Sequence, residues 1–287
     1  LICGIVLSGG ESSRFRELAP GIVDKALYVY EGETLLQRSV ELLEKISDQV
    51  IISAGTPEKT YLYRELVGRE AELVEDPPGL RGPLAGVYAS LMRCAGKTTL
   101  VIPVDMPFVT GSLLWELVFR ARDGFLASVV APNSNLYPVL MALPKETGLR
   151  VAGALLKAGR NRLTDFHRGY PNLYYVNLAR REEWRNSVLN LNKPVLSIDE
   201  SVLRGHIAGD VEIRRISNSN NLNDFLEGQV RESIWYTLRT SDPTAEFKLY
   251  SSNGLFMLAA KALLDSNNSY ERLLGEIILN GIKTREK

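Results

Sequence analysis

Four short apolar runs punctuate the first half of this chain, and segments with helical character separate them. ICGIVL (2–7), QVIIS (49–53), TLVIPV (99–104) and LASVVA (126–131) are rich in β-branched residues. A strand with one wet face alternates polar and apolar residues, so unbroken apolar runs of this length predict strands buried on both faces. Between them, ETLLQRSVELLEKI (33–46) carries apolar positions at helical spacing. Residues 57–67, 83–94 and 111–122 also read as helices, the first opening on Pro57 in a favourable first-turn position, and ELVE (72–75) reads as one more short strand. Strands alternating with amphipathic helices predict an α/β fold of three layers, α/β/α, with a mainly parallel sheet. Ligands of such sheets bind beyond the carboxyl ends of the strands, which is where chemistry is to be sought.

The pattern loosens after about residue 140. Residues 136–143 read as a strand, 146–158 as a helix and 172–177 as a strand, whereas 186–224 is polar and Asn-rich and resists assignment. Helical patterns return at 255–264 and 270–282. The expected division is a catalytic domain over 1–226 and a helical C-terminal extension over 227–287. The apolar faces of that extension predict either a small appended core or a homodimer contact.

Composition excludes several classes. Lys plus Arg equal Asp plus Glu at 34 each, so bulk charge points to neither nucleic acid nor a membrane surface. No apolar run reaches transmembrane length. No signal peptide is visible, and the missing initial Met suggests that a few leading residues precede Leu1. Cys3 and Cys94 lie far apart in apolar contexts; a disulfide is one option, and two buried thiols of a cytoplasmic protein are the expectation. His167 and His206 are the only histidines, so no Cys/His metal pattern exists.

Three stretches stand just after strands. In LSGGESSRFRELAPGIVDKAL (7–27), Gly9 and Gly10 permit a tight turn that brings backbone N–H groups close to an anion. Ser12 and Ser13 can donate hydrogen bonds, and Arg14 can pair with phosphate. The stretch is neither a Walker loop nor GxGxxG, and alone it reads equally as a strand-to-helix turn. In EDPPGLRGPLAGVYASL (75–91), Asp76 ends a strand, and small residues through Gly82, Pro83, Leu84 and Gly86 let a flat ligand approach. In LVIPVDMPFVT (100–110), Asp105 closes an apolar strand as a hard oxygen ligand suited to Mg²⁺.

Taken together, the three stretches resemble the molybdenum cofactor guanylyltransferase family, and more broadly nucleotidyltransferases of the Rossmann-like, glycosyltransferase-A-like fold. The family's L-x-G-G-x-S-x-R appears as Leu7 to Arg14, and its following G-x-x-K is represented by Gly21 and Lys25 with one more residue between them; its G-P-L-x-G appears as Gly82 to Gly86 and its P-x-D-x-P as Pro103 to Pro107. Tyr137-Pro138, and Arg162 after Gly159, also match family positions, and order and spacing agree over residues 1 to about 165. The resemblance implies Mg²⁺-dependent transfer of GMP from GTP to the phosphate of molybdopterin, with release of pyrophosphate. It implies a nucleotide loop over Leu7, Ser8, Gly9, Gly10 and Ser12, with Gly82, Pro83 and Leu84 beside it. Arg14 and Lys25 would neutralise triphosphate charge, Asp105 would hold Mg²⁺, Asp76 would face guanine, and Pro138 and Arg162 would lie on the acceptor side.

The family's terminal N-x-N motif has two counterparts. Asn177 precedes Ala179, which stands where the second Asn belongs; Asn218 and Asn220 keep both, and Asn220 is preferred as the second metal ligand. Two departures bear on the substrate. The step from Arg14 to Lys25 is longer than the compact family loop and resembles sugar-phosphate nucleotidyltransferases. Ser53-Ala54-Gly55 stands where the family carries an Asn. A nucleotidyltransferase for a sugar phosphate or another small phosphate is therefore the alternative enzyme, and a catalytically inactive nucleotide-binding regulator or chaperone the alternative of another class.

Overall fold

The computed structural model describes residues 1–9, 24–68, 71–189, 205–214 and 243–285. Its frame is an eight-stranded sheet. In chain order the strands of that sheet are β1 (Ile2–Leu7), β4 (Gln49–Gly55), β5 (Glu72–Glu75), β6 (Thr98–Pro103), β7 (Leu126–Val130), β8 (Leu136–Pro144), β9 (Asn172–Asn177) and β10 (Val211–Arg214), while β2 (Val29–Tyr30) and β3 (Glu33–Thr34) form a separate small ribbon. The spatial order is β10-β9-β7-β8-β6-β1-β4-β5. Strands β6, β1, β4 and β5 run parallel, β8 runs antiparallel to both of its neighbours, and β10 is antiparallel to β9.

Successive strand residues point to opposite faces, and the central strands bury both. Val6, Ile52 and Ile102 enter one apolar layer, while their neighbours Ile5, Ile51 and Val101 enter the other. The first layer is covered by α1 (Leu35–Glu44), α2 (Pro57–Val67) and α4 (Gly111–Arg122). The second is covered by α3 (Pro83–Arg93), α5 (Lys145–Lys157) and α6 (Leu163–Gly169). Local chemistry sets the helix starts: Thr34 and Gln37 form a reciprocal capping box on α1, and Thr56 caps α2 ahead of Pro57.

The C-terminal region contains α7 (Pro243–Ser252), α8 (Phe256–Leu264) and α9 (Ser269–Arg285). Tyr250, Leu258 and Ala259 enter the second apolar layer, so α7 and α8 extend that layer. Charge locks them there. Arg168 of α6 is fully buried and pairs with both oxygens of Glu246 at 2.8 and 2.9 Å, and with Asp265 at 2.7 Å. Arg160 also reaches Asp265, at 2.7 Å.

The expectation of two separate thiols is corrected. Cys3 in β1 and Cys94 at the end of α3 form a disulfide across 91 residues, with Cα atoms 5.7 Å apart. The parallel β-α-β winding brings the start of β1 and the end of α3 to the same end of the sheet, which sequence distance alone conceals. No helix among the described residues is long and apolar enough to cross a membrane.

Candidate functional site

The carboxyl ends of β1, β4, β5 and β6 lie side by side, and Ser8, Gly9, Gly55, Asp76 and Asp105 follow or close them. Two groups of polar side chains form there.

The first joins Lys25 to Asp105. Asp24 caps a short 3-10 turn, Lys25–Leu27, by accepting from the Ala26 N–H. That turn aims Lys25 inward, and its ammonium lies 2.8 Å from the Asp105 carboxylate. Only 8% of the Lys25 side chain is exposed against 21% of Asp105. Burial pushes the Lys25 ammonium below its usual range, and the charge and hydrogen bond of Asp105 oppose that. Buried ion pairs need a compensating partner, and Asp105 supplies one for this ammonium.

The second group surrounds Asp76. Its backbone N–H donates to the Gly55 carbonyl, which fixes it just beyond β5. A Cβ added to Gly86 of α3 would sit 2.4 Å from Ser53 Oγ, 3.2 Å from Leu7 Cδ1 and 3.3 Å from Asp76 Oδ1. The glycine therefore lets α3 close on Leu7, Ser53 and Asp76 together. Asp76 is half-buried, and burial raises its carboxyl above the usual carboxylate range. Its carboxylate makes no hydrogen bond or ion pair among the described residues. Gly55, at φ +82°, would place a Cβ 3.0 Å from the Gly9 Cα, so only glycine fits this close approach of two backbones.

Asp76 and Asp105 are not brought together. With the order β6-β1-β4-β5, three strand spacings separate the ends that carry them, about 14 Å. The remaining start of the cradle is tied in through the backbone. Gly82 has φ +99°, and the Leu84 N–H donates to the Asn161 carbonyl while the Asn161 amide donates to the Arg81 carbonyl. This draws the loop carrying Arg162, which is exposed at the start of α6, beside Gly82-Pro83-Leu84. Pro138 lies on β8, and its carbonyl accepts from His167 Nε2 at 3.0 Å.

Gly10, Ser12, Arg14, Asn218 and Asn220 lie outside the described residues. Asn177, the less preferred counterpart of the family motif, closes β9. It is buried, its amide donates to the carbonyls of Ile207 and Gly209, and its oxygen accepts from the Ala179 N–H. Those bonds leave it fixing the 205–210 turn beside β9. Among the described residues no group of three His, Cys, Asp or Glu side chains could hold a metal ion.

One polar cluster went unrecognised in the sequence: Asp24, Lys59 and Tyr63. Tyr63 of α2 is fully buried and hydrogen-bonds both Asp24 and Ser8, and Lys59 pairs with the same Asp24 oxygen. The available signal was the i, i+4 spacing of Lys59 and Tyr63, which puts both on one face of a predicted helix.

The model of the family described as the MobA-like NTP transferase domain matches residues 4–170, more than half of the chain. A relative from Methanosarcina acetivorans, named "Probable molybdenum cofactor guanylyltransferase", is 30% identical over 77% of this chain and 86% of its own length. The molybdenum cofactor guanylyltransferase of Pseudomonas fluorescens is 31% identical over 52% of this chain and 69% of its own. Among solved structures, molybdopterin-guanine dinucleotide biosynthesis protein A from Archaeoglobus fulgidus superposes with a TM-score of 0.54 at 20% identity, covering 68% of this chain and 93% of that one. That likeness is one of fold.

Proposed function

This chain belongs to the MobA-like NTP transferase family, and from that premise we propose that it transfers GMP from GTP to the phosphate of molybdopterin. A phosphate oxygen of the acceptor attacks the α-phosphorus; the bond to the β-phosphate bridging oxygen breaks, and pyrophosphate leaves with the electron pair. The names of the relatives support the acceptor and the nucleotide.

The observation that carries the reading is the separation of two carboxylates with different surroundings. Asp76, without a polar partner among the described residues, offers acceptor oxygens beyond β5 to guanine N1–H and N2–H₂, a donor pair that adenine lacks in that arrangement. Asp105, three strands away, is paired with Lys25 where the triphosphate of a nucleotide laid across the strand ends would arrive. Phosphoryl transfer asks little covalent chemistry of a protein, so positioning and charge neutralisation do the work.

Asp105 suits Mg²⁺. The ion keeps several waters and is commonly held by one or two carboxylates together with substrate phosphates, so a single partly exposed carboxylate at a strand end meets its needs. When bound, the ion supplies charge neutralisation across the phosphates. Lys25 would offer its ammonium to a phosphate oxygen. Leu7 and Gly9 bring the backbone beneath the nucleotide, and Arg162 supplies a cation on the acceptor side. The test is a panel of nucleoside triphosphates with Mg²⁺. Stabilisation by GTP is expected; stabilisation by UTP, CTP or dTTP without GTP would instead favour a sugar-phosphate acceptor.

A further inference from the structure

Residues 8 and 24 bracket the segment that carries most of the opening motif, and one helix joins them. The Asp24 carboxylate can only accept, so the Tyr63 hydroxyl donates to its Oδ2 at 2.8 Å. Ser8 Oγ, 2.7 Å away, must then donate to Tyr63. Lys59, one turn earlier on α2, reaches the same Asp24 Oδ2 at 2.9 Å and donates to the Ser8 carbonyl at 3.1 Å. The other Asp24 oxygen accepts from the Ala26 N–H at 3.0 Å, which starts the turn that aims Lys25. Asp24 and Ser8 are buried, so this is not a wet surface contact.

We propose that Tyr63 and Lys59 form a clip from α2 that fixes both ends of the nucleotide loop and thereby holds Lys25 at its working position against Asp105. They are positioning residues; they act through Asp24 and Ser8. The proposal rests on the reading of Lys25 as a triphosphate ligand. It also separates the two functions of Ser8: its backbone belongs to the loop, while its hydroxyl is committed to the clip. A displacement of about 1 Å in a catalytic group can cost about a hundredfold in rate, so a clip of hydrogen bonds remote from the chemistry has a measurable output.

The experiment is a kinetic cycle on the full chain, measuring pyrophosphate release from GTP and molybdopterin with Mg²⁺. Tyr63→Phe keeps the buried ring and removes only the hydroxyl; Lys59→Met keeps the stem and removes the charge. Each is expected to lower kcat about tenfold or more with a smaller change in KM for GTP, and Lys59→Arg to recover most of it. In a Lys25→Ala background, Tyr63→Phe is expected to lower kcat little further, because the clip acts through Lys25. Wild-type kcat in both Tyr63→Phe and Lys59→Met, with Lys25→Ala inactive, would overturn the clip alone. Full additivity with Lys25→Ala would reduce it to a structural contact and overturn it likewise. Wild-type activity of Lys25→Ala would overturn the reading beneath it. If Tyr63→Phe fails to fold, Lys59→Met, partly exposed, carries the same decision.

Discussion

Lys25 and Asp105, 80 residues apart in the chain, meet at 2.8 Å at the carboxyl end of the central strands. Lys25 is buried and Asp105 partly exposed. On the proposed reading, a nucleoside triphosphate is the third party to which this pair responds. Asp105→Ala is expected to lower kcat about 10²–10³-fold, the scale for losing one group aimed at developing charge. Lys25→Ala is expected to fall in the same direction. Steady-state pyrophosphate release checks both; equal release from Asp105→Ala and wild type would count against the site.

Asp76 gives a pH prediction. Burial holds its carboxyl above the ordinary range, so it takes up its proton at a higher pH than a free aspartate. Only the ionised form accepts from both guanine donors. GTP affinity should therefore fall on acidification through that raised pKa. Asp76→Asn should lose about 10–100-fold in GTP affinity, since hydrogen bonds to a charged group are worth about 1.5–3 kcal/mol, and its acid limb should vanish. Titration calorimetry over a pH series measures both; an unchanged limb in the variant would place the titration elsewhere.

Much of this architecture is legible in the sequence, for one physical reason: strands buried on both faces have nowhere to hide a polar residue. β1, β4 and β6 announce themselves as unbroken apolar runs, and turn chemistry bounds the helices between them. What escaped is what tertiary contacts decide. β10 is a four-residue edge strand in a polar region, with every second residue exposed. α6, LTDFHRG, carries four polar side chains in seven residues, yet Asp165, His167 and Arg168 are all buried. Partners up to 97 residues away satisfy its arginine, and no local pattern foretells them. The site divides in the same way. Lys25, Asp76 and Asp105 stand in motifs beside strands, whereas Tyr63 is informative only once α2 is seen against Ser8 and Asp24.

The Arg168 cluster predicts how the C-terminal helices are held. Removing the guanidinium strands Glu246 in the interior, while Asp265 keeps Arg160, a loss of about 3–5 kcal/mol for a buried pair broken on one side. Arg168→Ala should lower Tm and open the region around α7 and α8 to limited proteolysis. Arg168→Lys should restore only part, because a point charge cannot reproduce the paired bonds to Glu246. Unchanged proteolysis in Arg168→Ala would show that apolar packing alone docks these helices.

His167 predicts an acid limit to stability. It is fully buried, and burial lowers its pKa to about 4. Its Nε2–H donates to the Pro138 carbonyl and its Nδ1 accepts from the Tyr175 hydroxyl, so the neutral ring is the one that fits. The unfolded chain binds a proton near pH 6.5 and the folded one only near 4. The stability from this site is therefore complete above pH 6.5 and lost as pH falls to about 4, a total of about 3 kcal/mol. Denaturant melts at several pH values should show that slope, and His167→Gln should flatten it.

The central claim is that this site moves GMP from GTP onto molybdopterin. The most direct measurement is pyrophosphate release from each nucleoside triphosphate, with Mg²⁺ and molybdopterin, alongside mass analysis of the product. The account predicts release with GTP, dependent on molybdopterin and lowered about 10²–10³-fold in Asp105→Ala, and a product heavier than the acceptor by one GMP unit. Release with a pyrimidine nucleotide and not with GTP, or release that survives Asp105→Ala undiminished, would contradict it.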